Sequence, residues 1–217
     1  MDSDVALKTR RRGRRQPEKL LEHPVWTGKP ILTRLKLLNE KSLCAVATAM
    51  QVDEELHSAL RHEVLWRKMS QPACKRMAGT PVLLVDFHLR NTEWWNWIAE
   101  RGPRPFRVPE PRHAALFRNA TALVREILIE ICFVSLASPA AARLLFGMSP
   151  TVIEIAASLS GMQMDKIVGT FGDQMQLRWA DNRVFWRGFL EAATGDLDED
   201  AIADVHFQSL QLLGSEV

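Results

Sequence analysis

Residues 158–169 read SLSGMQMDKIVG. Gly161 interrupts a run rich in Ala, Ile and Leu, and two readings of it are open. It is the corner of a helix-turn-helix that reads DNA, or the joint between two core helices. A DNA-reading corner needs a small residue in the first helix where the second crosses it, a glycine able to turn left-handed, and buried apolar residues in the second helix. Ala157 lies four residues before Gly161 and Ile167 six after it, with Ala156 and Met162 as further apolar contacts, so the spacing is met. The chemistry is sparser. Base reading takes Arg, Lys, Asn or Gln on the exposed face of the second helix, and that face offers Gln163, Lys166 and Thr170, opposed by Asp165. Arg178, Arg183 and Arg187 follow as candidates for phosphate contact.

Upstream of the corner the pattern is almost continuously helical. Ser149 and Pro150 form an N-cap and first-turn pair that starts TVIEIAASLS, and Pro139 opens AAARLLFG, which Gly147 ends. Before that, Ala115 to Ser138 places Leu116, Ala120, Leu123, Ile127 and Ile131 on one face, with Val124, Leu128 and Phe133 widening it. A helix this apolar on several sides is buried in the fold or in an oligomer, which makes Ile127 and Ile131 candidates for partner binding.

The first half adds a second helical region. Ile31, Leu32, Leu35 and Leu38 follow helical spacing from Pro30, and Asp53 is a candidate N-cap for EELHSALRHEVLW, with Leu56, Leu60 and Val64 on one stripe. Residues 81–89, PVLLVDFHL, read as a short strand. Trp94 and Trp97 share a helical face beside Ile98 while Trp95 points elsewhere. This pair is a buried anchor or a partner-binding face, since Trp is enriched at interface hot spots. The prolines at 103, 105, 109 and 111 mark an extended linker.

The net charge of +2 hides an uneven distribution. Lys8, Arg10, Arg11, Arg12, Arg14 and Arg15 stand against only Asp2 and Asp4, whereas residues 191–217 hold acidic side chains and no Lys or Arg. A basic arm of this kind gains affinity for double-stranded DNA by releasing counterions, without reading sequence. The expected organisation is therefore a disordered arm (1–19), an N-terminal helical subdomain with one or two short strands (20–100), a linker (101–112), a helical domain with the corner (113–193) and an acidic tail (194–217), mainly α throughout.

Other classes find little support. The chain contains no phosphate-cradling glycine loop, no HExxH and no GxSxG, so no enzymatic activity is expected. Cys44, Cys74 and Cys132 form no CxxC pair, and His57 and His62 are five apart, a spacing that does not put both on one metal; no cofactor or metal is expected. No apolar run reaches the roughly 18 residues that a membrane span requires. A cytoplasmic protein away from the membrane is expected.

The run FGMSPTVIEIAASLSGMQMDKIVGTFGDQMQLRW, residues 146–179, resembles the FlhD family, the D-type subunits of the flagellar master regulator. The likeness rests on the glycine and polar cap, the Ala/Leu-rich helix, Gln163, Met164 and Lys166 in the next helix, Thr170 at its end, and Arg178 with Trp179 closing a short extended piece; it covers about residues 112–190. The resemblance implies a helical, homodimerising subunit of a heteromeric transcriptional activator. Its C-type (FlhC-like) partner carries a four-cysteine zinc site, and the complex contacts double-stranded DNA and RNA polymerase. Three features depart from the flagellar pattern: an additional Trp-rich helical half, the basic arm, and Met175 where the flagellar subunit has a cysteine. The length resembles that of enlarged D-type subunits that switch on transfer genes of integrative and conjugative elements or plasmids. The alternative from another class is a non-DNA-binding adaptor that docks through Trp94, Trp97 and the apolar 115–138 helix.

Overall fold

The computed structural model describes residues 29–52, 62–100, 114–117, 119–195 and 198–216. Within them the chain is mainly α, with ten α-helices and one antiparallel pair of two-residue strands. The basic arm, the Asp53 cap with Leu56, Leu60 and His57, and the expected 101–112 linker lie outside the described residues.

The first helix, α1 (Lys29–Val52), buries Ile31, Leu35 and Leu38 as its spacing predicts, while Leu32 faces solvent. It carries a buried asparagine for a reason that lies elsewhere in the chain. Asn39 Nδ2 donates to Thr80 O (3.2 Å) and Val82 O (2.9 Å), and its Oδ1 accepts from Leu84 N (3.0 Å). Leu83 N donates to Leu145 O (2.9 Å), a carbonyl at the end of a helix. Four backbone groups between residues 80 and 84 are thus satisfied by one side chain and one helix terminus instead of a ladder. The expected 81–89 strand therefore shrinks to β1 (Val85–Asp86), paired with β2 (Gln176–Leu177) in the register Val85↔Leu177.

Short helices α2 (Glu63–Arg67) and α3 (Gln71–Met77) follow α1 and pack on it. Val64, placed on an inward stripe by sequence, is exposed. Helix α4 (Thr92–Ala99) starts where Asn91 Oδ1 accepts from Trp94 N (2.9 Å). The expected single helix over 115–138 is instead a 3₁₀ turn (Ala114–Phe117) followed by α5 (Thr121–Ala137). Polar caps then punctuate the chain: Ser138 before α6 (Pro139–Phe146), Ser149 before α7 (Pro150–Ser158), Ser160 before α8 (Gly161–Phe171) and Asn182 before α9 (Arg183–Thr194). Each supplies a side-chain oxygen to an otherwise unpaired first-turn N–H.

Residues expected to form an acidic tail belong instead to α10 (Glu199–Glu216), which packs on α9 and buries Val205, Ser209 and Leu213 at i, i+4 and i+8. The acidic residues at its start act locally: Asp198 Oδ1 accepts from Asp200 N and Ala201 N, and Glu199 and Asp200 lie at the positive end of the helix dipole. One continuous core runs from Ile31 on α1 to Val205 on α10 and joins the two halves that the sequence suggested were separate. Among the described residues no single helix is long and apolar enough to cross a membrane.

The corner at Gly161 differs from the expected one. Leu159 and Ser160 are extended and Gly161 is the first residue of α8, with nothing within 4 Å of where a Cβ would stand. Among the described residues the left-handed glycine is Gly147, at φ 64°, between α6 and α7, which meet at 116°. A Cβ on Gly147 would lie 2.5 Å from Leu213 Cδ1 and 3.3 Å from Arg178 Nη1. Gly147→Ala is therefore expected to destabilise the chain by about 2 kcal/mol or more through strain and overpacking. Gly161→Ala is expected to change stability by less than about 0.5 kcal/mol. Urea denaturation of both variants checks this, and a larger loss at Gly161 would restore it as the structural corner.

Candidate functional site

Three residues chosen from the sequence for different reasons converge on one groove. Helix α4 contributes Trp97 and Ile98, and α8 contributes Met162, Gln163, Lys166, Ile167 and Phe171, around a volume of about 290 Å³. The aromatic wall is built from below. Trp94 is fully buried, edge-on to Phe87 (5.3 Å between centroids) and to Phe171 (5.6 Å), and Phe171 in turn meets Trp97 edge-on at 5.5 Å. Trp95 is also fully buried, with its Nε1 donating to His88 O (2.9 Å). Of the tryptophan pair proposed to bind a partner, Trp94 is thus core and only the half-buried Trp97 reaches the groove.

The exposed side of α8 is chemically divided. Gln163 completes a capping box: its Oε1 accepts from Ser160 N (2.9 Å) and from the Ser160 hydroxyl (2.8 Å), while its own N–H donates to Ser160 Oγ (3.3 Å). A glutamine held this way has spent its acceptor on the helix end and is a poor base reader. Asp165, expected to oppose Lys166, is instead turned to Arg125 at 2.8 Å. Lys166 and Thr170 are exposed, and Lys166 is the cation on the groove's rim. Met162 is 80% exposed at one end, an apolar side chain in water beside a tryptophan.

The remaining candidates separate. Arg178 is 3% exposed, and its Nη2 donates to Phe146 O, so it cannot reach a phosphate. Arg183 and Arg187 stand on α9 beside His62 and Glu191, around a different cavity, with Arg187 Nε donating to Glu191 Oε1 at 2.8 Å. Ile127 and Ile131 are buried by the chain's own helices and cannot bind a partner. The outward face of α5 carries other apolar residues, Ile129 (44% exposed), Phe133 (47%) and Leu136 (71%), spaced by four and three. The charges flanking this stripe are paired within the chain, Lys41 with Glu126 and Arg34 with Glu130. Met175 is fully buried.

Phe171 is the groove residue that sequence reading passes over. Its signal is the stripe Gln163, Ile167, Phe171 at i, i+4, i+8 on α8. Burial pushes the Cys132 thiol up to about 12, and burial together with the neighbouring Cys44 does the same to Cys74, so these two are held protonated. Among the described residues no three His, Cys, Asp or Glu side chains are placed to hold a metal ion. No protein-family model, no curated protein and no solved structure matches the chain.

The two roles on α8 can be separated by substitution. Gln163→Ala is expected to lower stability by about 1 kcal/mol through loss of the capping box, whereas Lys166→Ala should leave the unfolding midpoint unchanged. Thermal melts of both variants decide it, and a drop for Lys166→Ala would make that side chain structural.

Proposed function

We propose that this chain is a docking subunit of a heteromeric DNA-binding transcriptional activator. The observation that carries the reading is the groove along α8, in which Trp97, Ile98, Met162 and Phe171 present apolar surface beside a single cation. An aromatic-lined concavity with a polar rim suits a partner's apolar anchor better than it suits a phosphate backbone. The assembly partner is an FlhC-like zinc subunit. A second copy of this chain associates through Ile129, Phe133 and Leu136 on α5. DNA contact is shared between that partner, Lys166 with Thr170, and the arginine arm, and RNA polymerase is the downstream contact. The regulon is that of conjugative-transfer or mobile-element genes, the reading that the resemblance to enlarged D-type subunits supports.

A second reading, an adaptor that never meets DNA, is favoured by the engagement of Gln163 in the cap of α8. Electrophoretic shift of the chain with and without a co-expressed C-type partner separates the two. A promoter-specific complex at moderate salt is expected only with the partner, and no complex in either arm would establish the adaptor. Within a complex, Met162→Glu should weaken assembly at least tenfold, about 1.4 kcal/mol, with an unchanged melting temperature. Deleting residues 1–15 should weaken specific and random DNA alike, lowering the salt slope by about 0.9 for each phosphate that the arm neutralises.

A further inference from the structure

The groove between α4 and α8 carries one charge that no described residue answers. Met162 and Lys166 stand one turn apart on α8 and line it, with Ile167 and Phe171 on the adjacent stripe and Trp97 and Ile98 contributed by α4. The acidic neighbour in sequence, Asp165, is turned to Arg125 at 2.8 Å, and the acceptor of Gln163 is held by Ser160. No carboxylate, His or Cys is among the described lining residues. Lys166 therefore brings an exposed ammonium to the rim of an apolar concavity, with no ion pair to another described residue.

We infer that this groove binds a small aromatic monocarboxylate, its rings against Trp97, Phe171 and the Met162 thioether and its carboxylate on the Lys166 ammonium. Size and charge select that class. About 290 Å³ lies at the small end of ligand cavities, which run from roughly 300 to 1,000 Å³ and suit one or two fused rings at that end. One cation balances one negative charge, so a phosphate dianion would leave charge unpaired against an apolar wall. A sugar would strand its hydroxyls there for the same reason. Rings are preferred to an alkyl chain because Phe171 and Trp97 already meet edge-on at 5.5 Å, and ring edges and a thioether add specific contacts to the area buried. A further consequence rests on the docking reading of the same groove: the acid and a partner's apolar anchor exclude one another, so ligand occupancy releases the partner.

The test is calorimetric titration of the full chain with sodium 2-naphthoate, beside uncharged 2-naphthamide and aliphatic octanoate. One equivalent of 2-naphthoate should bind, with the amide and octanoate each at least tenfold weaker. Lys166→Met should lose at least tenfold for the naphthoate and nothing for the amide, Lys166→Arg should restore binding to within about twofold, and Met162→Ala should lose about threefold. Melts should show Lys166→Met as stable as the parent, which separates lost binding from lost folding. No saturable binding up to about 1 mM, an amide or octanoate that binds as tightly as the naphthoate, or a Lys166→Met that binds as the parent does would each overturn the assignment. With a C-type partner co-expressed, 2-naphthoate should dissociate the complex. If it binds the chain and leaves the complex intact, docking through this groove fails while the ligand site stands; if it does not bind at all, the ligand site fails and Met162→Glu still decides the docking.

Discussion

The structure turns on a buried guanidinium. Arg178 follows β2, is 3% exposed, and joins segments that are distant in sequence. Its Nη2 donates to Phe146 O at the end of α6, its N–H donates to Leu84 O (2.8 Å), and its own carbonyl accepts from Trp186 Nε1 on α9 (3.0 Å). Asp86 lies 4.0 Å from the guanidinium, and the Trp179 ring packs against it at 5.7 Å. Burial lowers the pKa of Arg178, opposed by Asp86 and Glu216. A charge taken from water is tolerated only where such partners replace hydration. Gly147 is bound to the same constraint, because the guanidinium and Leu213 occupy the space that any side chain there would need.

This explains why the C-terminal segment folds. Glu216, at the end of α10, accepts from Trp179 Nε1 (2.7 Å) and stands 3.6 Å from Arg90. The last turn of α10 therefore closes over the aromatic neighbour of Arg178, while Leu213 covers Gly147. A segment without Lys or Arg reads as solvated when only its charge is counted. The apolar spacing Val205, Ser209, Leu213 carries a helical signal, but a serine at its centre weakens it. What that serine does, an Oγ donating to His206 O at 2.6 Å, becomes visible only in the folded chain.

Local rules are legible in the sequence and tertiary ones are not. Pro139, Gly147, Ser149 and Pro150 each act through backbone physics confined to one turn, and α6 and α7 begin and end where those residues demand. Gly161 misleads because a glycine in a helical run suggests a left-handed turn, whereas Ser160 beside Gln163 offers a stronger local signal, a capping box. Arg178, Ile127, Ile131 and Trp94 mislead for another reason. Residue type gives a prior for burial or exposure, and the partners that overrule or enforce it come from other elements. Likewise Trp97 and Lys166 each stand out in the sequence, but their proximity depends on Phe171 bridging α8 to α4.

That proximity constrains how the proposed complex can work. Lys166 lies on the rim of the groove that a partner would fill, so an apolar anchor seated between Trp97 and Met162 also shields the lysine from bulk water. Shielding strengthens a contact between Lys166 and an anionic group and makes it less sensitive to salt. It also prevents α8 from lying deep in a major groove while the partner is bound, since the same face serves both. On the proposed reading α8 therefore acts at the seam between partner and DNA, its one cation placed against a phosphate at the edge of the site, and base discrimination falls to the partner.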